Sequence, residues 1–231
     1  VAHPEWMLRR AEHLPERLSA LAIGPGLGTE AGSAALLRTA LGRKIPLVLD
    51  ADALNLISVD SSLQASLATR EAPSILTPHP AEAARMLGVS TAAVQADRLQ
   101  AALDLAQRHR AVVVLKGCGS IVATPDRRWF INGSGHPGMA SAGMGDVLTG
   151  LVVGLLAQGW PAESALIAAV HLHGAAADRL AREGIGPIGL SASETIDAAR
   201  GVFNGWLIEA QQGNPRDKGH DARHLAARNG P

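Results

Sequence analysis

Short apolar runs punctuate the first half of the chain, and each is followed by a stretch at helical spacing. Residues 21–24 (LAIG), 47–49 (LVL), 74–76 (SIL) and 111–115 (AVVVL) read as buried strands. Strands covered on both faces of a parallel sheet lose the inside/outside alternation. Between them the rhythm is helical: 29–41 with alanine and leucine inward, a turn or two over 52–57, 81–87 stopped by Gly88, and a longer helix over 91–109 with a charged outer face. Strand, glycine turn, helix, strand is a parallel βαβ unit, for which a right-handed crossover is expected. Then the pattern changes. Residues 120–123 and 128–131 flank Thr124-Pro125-Asp126-Arg127, a turn sequence, and predict an antiparallel hairpin at the sheet edge. Beyond it only helices are expected, over 143–157, 161–183 and 191–207. The first takes its period from Val147, Leu148, Leu151, Val152, Leu155 and Leu156.

These elements predict an α/β fold with a mostly parallel sheet and an antiparallel edge. Residues 1–18 read as a connector with a helical turn over 14–18, residues 19–210 as the domain, and residues 211–231 as a polar, turn-rich, disordered tail.

Composition narrows the function. Hydrophobic residues make up 47% of the chain, enough for a sizeable core. The formal net charge is zero, which argues against partners bound through clustered basic charge, nucleic acid and membrane surfaces among them. The single cysteine, Cys118, fits a reducing, cytoplasmic setting and excludes an internal disulfide. No apolar run approaches the ~18 residues needed to span a bilayer.

The chemistry concentrates at 132–150, NGSGHPGMASAGMGDVLTG. Five glycines stand in the thirteen residues before Asp146. Glycine lets a backbone approach a ligand closely, and this run feeds a helix whose first N–H groups are unpaired and attract anions. Asp146 can be a helix cap or a general base beside a phosphate. A cap does not need so many glycines, so the base reading is preferred.

Four other stretches end strands, where open α/β sheets place ligands. GPGLG at 24–28 lacks the third glycine of a dinucleotide fingerprint, since Thr29 stands in its place. A plain tight turn explains it about as well. In DADALNLI at 50–57, Asp52 is a good helix cap, and the run is assigned only a site-lining role. In TPHPAE at 77–82, two prolines hold His79 extended, and Glu82 suits a helix start. In LKGCGS at 115–120, Lys116 could simply snorkel outward. Followed by Gly117 and Gly119, it looks more like a phosphate clamp with backbone donors. His171 and His173 point to different faces of a helix and are no metal pair.

These motifs resemble, in order, those of the ADP/ATP-dependent NAD(P)H-hydrate dehydratases of the ribokinase-like superfamily. The resemblance covers about residues 18–199. Departures within the motifs are minor: Ser141 where Thr is common, and Met144 where Ser or Thr is common. It implies a three-layer α/β/α sandwich and ADP-dependent dehydration of hydrated NADH or NADPH, a hydro-lyase reaction of metabolite repair. Asp146 is then the catalytic base and a substrate contact, with Gly26 and His79 also touching the substrate. Lys116, Gly117, Cys118, Gly119, Ser120 and Gly145 hold the nucleotide, Cys118 serving as a small filler. Magnesium is implied without an assigned ligand, Glu82 organising it at most indirectly. The resemblance further implies a homo-oligomer, a domain lacking its first strands, and an epimerase domain fused ahead of it. A small-molecule kinase of the same superfamily, or a nucleotide-binding module without turnover, would carry the same motifs.

Overall fold

The computed structural model describes residue 15 and residues 17–212. Its strands are β1 (Leu21–Ile23), β2 (Leu47–Leu49), β3 (Ser74–Leu76), β4 (Val112–Leu115), β5 (Ile121–Ala123) and β6 (Trp129–Ile131). They form one sheet in the order β1-β2-β3-β4-β5-β6, parallel through β4 and antiparallel thereafter. The expected edge hairpin is β5–β6.

Right-handed crossovers that always step the same way along a sheet put all their helices on one face. On that face lie α1 (Ala31–Leu41), α2 (Ala51–Val59), α3 (Ser61–Ala68), α4 (Pro80–Leu87), α5 (Thr91–Ala96) and α6 (Arg98–His109). The other face is covered by the C-terminal helices α7 (Met144–Ala157) and α8 (Ala162–Arg182), with α9 (Ala192–Gln212) packed outside them. The strands supply both cores by simple alternation. Leu47, Leu49, Leu76, Val113 and Leu115 pack with the crossover helices, and Val48, Ile75 and Val114 pack with α7 and α8. Each such side chain, fully buried, stabilises the fold by roughly 1.5–3 kcal/mol.

Two helix readings need correction. The helix expected over 91–109 is broken at Asp97, whose carboxylate caps α6 by accepting from Gln100 N at 2.9 Å. The helical turns expected over 52–57 belong to the longer helix α2, and α3, which was not expected, follows it directly. Asp60 separates them and caps α3 by accepting from Ser62 N and Leu63 N at 2.8 and 3.2 Å. In both places an aspartate, read as helix interior at 97 and left outside any helix at 60, starts a new helix. Residues 211–212 belong to α9. The rest of the expected tail, and most of the 1–18 connector, lie outside the described residues. Among those described, no helix is long and apolar enough to cross a membrane.

Candidate active site

The loops after all four parallel strands and the start of α7 meet on one side of the molecule. After β1 comes the glycine turn. Gly24 is buried at φ +135°, and a Cβ there would stand 1.7 Å from the Asp50 carbonyl oxygen. No side chain fits, so the turn sits directly on the end of β2. Gly28 N donates to Asp52 Oδ2 at 2.8 Å, which fixes the far end of the turn. Gly26, at φ +64°, has open space where a side chain would be. With Asp146, Thr149 and Gly150 of α7, residues 22–27 line a cleft of about 510 Å³.

After β2 comes Asp50, 1% exposed. Its Oδ1 accepts from Lys116 Nζ and Ala51 N, both at 2.9 Å, and its Oδ2 accepts from Thr149 Oγ1 at 2.8 Å. Ala51 is held at φ +46°, the left-handed region that glycine prefers. The sequence reading gave this run a lining role; the structure makes it the junction of the site.

After β3, His79 caps α4. Its Nδ1 accepts from Ala81 N at 3.1 Å and Glu82 N at 3.4 Å, while its own N–H donates to Glu82 Oε2 at 2.8 Å, completing a capping box. A ring nitrogen that accepts is unprotonated, and the environment agrees. Burial, the largest cause, pulls the imidazole pKa below its usual value; Glu82 opposes this, and Lys116 and Arg85 add to the lowering. Its Nε2 lies 3.4 Å from Glu82 Oε1, and about half of the side chain stays exposed, so a face of the ring is open to a ligand.

After β4, Lys116 turns inward rather than snorkelling out. Its ammonium also lies 3.9 Å from Glu82 Oε2, and a Cβ on Gly145 would stand 3.3 Å from it. The loop that follows turns tightly, with Gly117 at φ +145° and Gly119 at φ +63°. Ser120 Oγ closes it, donating to Gly117 O at 3.0 Å and accepting from Gly117 N at 3.3 Å. Arg98 of α6 lies under it, donating to Leu115 O at 3.4 Å and Gly119 O at 3.3 Å. Cys118 is exposed and fills no space, contrary to expectation, because the loop lifts it off the core.

The fifth component is 132–146. Residues 134–136 are tied to α8: Ser134 Oγ donates to His171 O at 3.0 Å, Gly135 N to Asp178 Oδ2 at 2.8 Å, and His136 Nε2 lies 3.0 Å from Ala177 O. Gly143 then opens α7 in the left-handed conformation, and no side chain caps the helix. Met144 N donates to Ser141 O at 3.4 Å, and the first-turn N–H of Gly145, the residue set against Lys116, is a donor of the kind that suits an anion. Asp146, in that first turn, is exposed.

The structure thus gathers Gly26 and Asp146 in one cleft and sets Gly145 against Lys116, with 117–120 following Lys116 directly. The sequence reading missed Thr149, Arg98, Asp178 and the central part of Asp50. Only Asp50 left a signal, an acid at the end of an apolar strand. Among the described residues no three His, Cys, Asp or Glu side chains come together as a metal cage. With Asp50 filled, Glu82 is the acid nearest Lys116. The donor set therefore suits magnesium only as an ion carried by phosphates and water, an arrangement that ion commonly adopts.

A family model described as NAD(P)H-hydrate dehydratase matches residues 1–198. The chain is 45% identical over 205 residues to an ADP-dependent (S)-NAD(P)H-hydrate dehydratase of Neisseria meningitidis serogroup B, covering 87% of this chain and 69% of that one. It is also 45% identical over 174 residues to a bifunctional NAD(P)H-hydrate repair enzyme of Moorella thermoacetica, covering 74% of this chain but 32% of the larger protein. Among solved structures, an ADP/ATP-dependent NAD(P)H-hydrate dehydratase of Bacillus subtilis, co-crystallised with ATP and Mg2+, superposes with a TM-score of 0.73. The two are 34% identical, with 84% of this chain and 67% of that one covered.

Proposed function

The chain belongs to the NAD(P)H-hydrate dehydratase family, with the ribokinase-like α/β fold, and from that premise we propose that it repairs hydrated NADH and NADPH, using ADP as co-substrate. One observation carries the reading. A carboxylate, Asp146, and an open glycine turn around Gly26 line the same cleft, next to an uncapped helix start with the Lys116 ammonium beneath it.

In this reading ADP lies along Lys116, Gly117, Cys118, Gly119 and Ser120, with its terminal phosphate at Gly145. The nicotinamide hydrate lies over Gly26, with His79 contacting it through its open face. Asp146 takes the proton from the hydrate's 6-hydroxyl, and that oxygen attacks the terminal phosphorus. The bond to the AMP oxygen breaks and AMP leaves. First-turn N–H groups of α7 stabilise the negative charge on the group in transfer, the fixed electrostatic help that phosphoryl transfer needs. The carbon–oxygen bond then breaks as the ring nitrogen's lone pair pushes in, a proton is lost from the adjacent carbon, and phosphate departs with the reduced nicotinamide restored. Magnesium held by the phosphates would neutralise their charge.

A homo-oligomer is part of the proposal, supported by Trp129, Phe130 and Ile131, all exposed on the edge strand β6. Fusion to an epimerase domain in the full-length protein is supported by the bifunctional relatives. A cytoplasmic setting is supported by the single, unpaired cysteine.

Asp146→Asn tests the base. ADP binding should stay within about twofold, while kcat falls by about 10²–10⁴-fold, the range general bases supply. Reduced-nicotinamide absorbance on adding ADP to the hydrate reports turnover. Full activity in this variant would rule out the base; accumulation of a phosphorylated hydrate by the wild-type protein would point to a kinase.

A further inference from the structure

The DADALN run carries more than a lining role. We propose that Asp50 is the positioning residue of this site: its buried carboxylate holds the Lys116 ammonium beneath Gly145 and, through Thr149, fixes the turn of α7 that presents Asp146. The inference rests on the reading of 143–146 as the phosphate and base loop.

Three elements converge on this one side chain. Asp50 ends β2, Lys116 follows β4 across the sheet, and Thr149 lies on α7. The bonds at 2.9 Å to Lys116 Nζ, 2.9 Å to Ala51 N and 2.8 Å to Thr149 Oγ1 leave neither carboxylate oxygen without a donor. A buried Asp paired with a partly buried Lys is weak evidence for stability, because desolvation offsets much of the attraction and well-packed apolar residues often do as well. What the pair provides is placement. A Cβ on Gly145 would stand 3.3 Å from Lys116 Nζ and 3.7 Å from Asp50 Oδ2, so both charged groups lie directly under that backbone. The ammonium, on a side chain 21% exposed, is therefore poised before any nucleotide arrives. Thr149 stands three residues after Asp146, on the same side of the helix. Anchoring its hydroxyl sets the rotation of the turn from which Asp146 points into the cleft. The glycine turn is seated on the same residue through the close approach of Gly24 to the Asp50 carbonyl. Asp50 thereby joins the three parts that the proposed reaction has to align.

Two substitutions separate the arms. Asp50→Asn keeps the shape and can still accept from Thr149, but has no charge to hold the ammonium. ADP affinity by titration calorimetry should fall about tenfold, as for loss of one charge-assisted bond. ADP binding as tight as in the wild type, or tighter, overturns the lysine arm. Thr149→Val keeps the volume and removes the donor. Assayed well below its unfolding temperature, it should lose about tenfold in kcat with ADP affinity within about twofold, and Thr149→Ser should restore the rate. Wild-type kcat in Thr149→Val, or no recovery in Thr149→Ser, overturns the helix arm, and this pair decides the matter if Asp50→Asn does not fold. Should the wild type bind ADP and leave the hydrate untouched, the dehydratase reading fails. Weakened ADP binding in Asp50→Asn would still uphold the positioning role.

Discussion

A few atoms decide whether this site can form. Gly24 is the sharpest case, because the obstruction is backbone and cannot swing aside. Gly24→Ala would have to push the 24–28 turn away from β2 and would also strain a φ of +135°. We expect a loss of about 2–4 kcal/mol in unfolding free energy, the size of a severe core substitution, with poor substrate binding in whatever folds. Gly26→Ala is the internal control, since its added methyl meets nothing. Only the strain of a left-handed alanine is then left, of order 1 kcal/mol. Urea titration of the two variants measures the difference, and equal losses would mean that the contact with Asp50 is not what selects glycine. Legibility follows the same division. A glycine run and a lone aspartate show in the letters, so Asp146 could be singled out from them, and Gly26 through the family resemblance. The partnership of Asp50 with Lys116 and Thr149 could not, because those residues lie 66 and 99 positions away along the chain.

Elements show how a loop of glycines is kept in one conformation. Residues 134–136 are strapped to α8 through Ser134, Gly135 and His136. Gly174 makes room for the strap: a Cβ there would stand 2.3 Å from Ser134 Oγ and 2.7 Å from its backbone. Gly174→Ala sets two effects against each other. Alanine favours a helix interior by about 1 kcal/mol, yet the strap must lift off. The thermal midpoint should stay within a few degrees, because the helix gain offsets part of the lost contact. kcat/KM for the hydrate should fall about tenfold, since misplacement near a reacting centre is costly. An unchanged kcat/KM would show that the strap does not position the loop. The sequence reading placed a helix over 161–183, in which Ala176 and Ala177 are fully buried. It had no means of finding the strap, because Asp178 on a helix face looks like any solvated acid. Helix boundaries were misread for a related reason. A capping aspartate such as Asp60 or Asp97 carries the same letter as one in a loop or on a helix face, and only its bonds to the next turn tell them apart.

Whole-molecule architecture was the most legible level, because it rests on long-wavelength features: four unalternating strands, then a hairpin, then helices. The two-faced core follows from that order and contains a weakness that the letters did not reveal. His109 on α6 and His173 on α8 are 1% and 6% exposed. Neither ring nitrogen of His109, nor Nε2 of His173, has a hydrogen-bond partner among the described residues. Burial lowers both pKa values from 6.5 to about 4, helped at His109 by the positive charge of Arg108. Between those values the unfolded chain binds protons that the folded one refuses, so stability falls as pH falls. The contribution is whole above the unfolded value of 6.5 and is spent by about pH 4. Each histidine then accounts for roughly 3 kcal/mol at 1.36 kcal/mol per unit, against a total stability of about 5–15 kcal/mol for a typical domain. The lowered carboxylates act in a different window. Asp60 and Asp126 lose their contributions only as pH falls through and below their usual value of 3.8. Urea midpoints taken from about pH 7.5 down to pH 4.5 should therefore hold to about pH 6.5 and then drop in the wild type. They should drop much less in His109→Leu/His173→Leu, whatever that double variant costs at neutral pH. Parallel curves for the two proteins would place the acid sensitivity elsewhere, with His79 at the edge of the site the next group to test, since its pKa is lowered in the same direction.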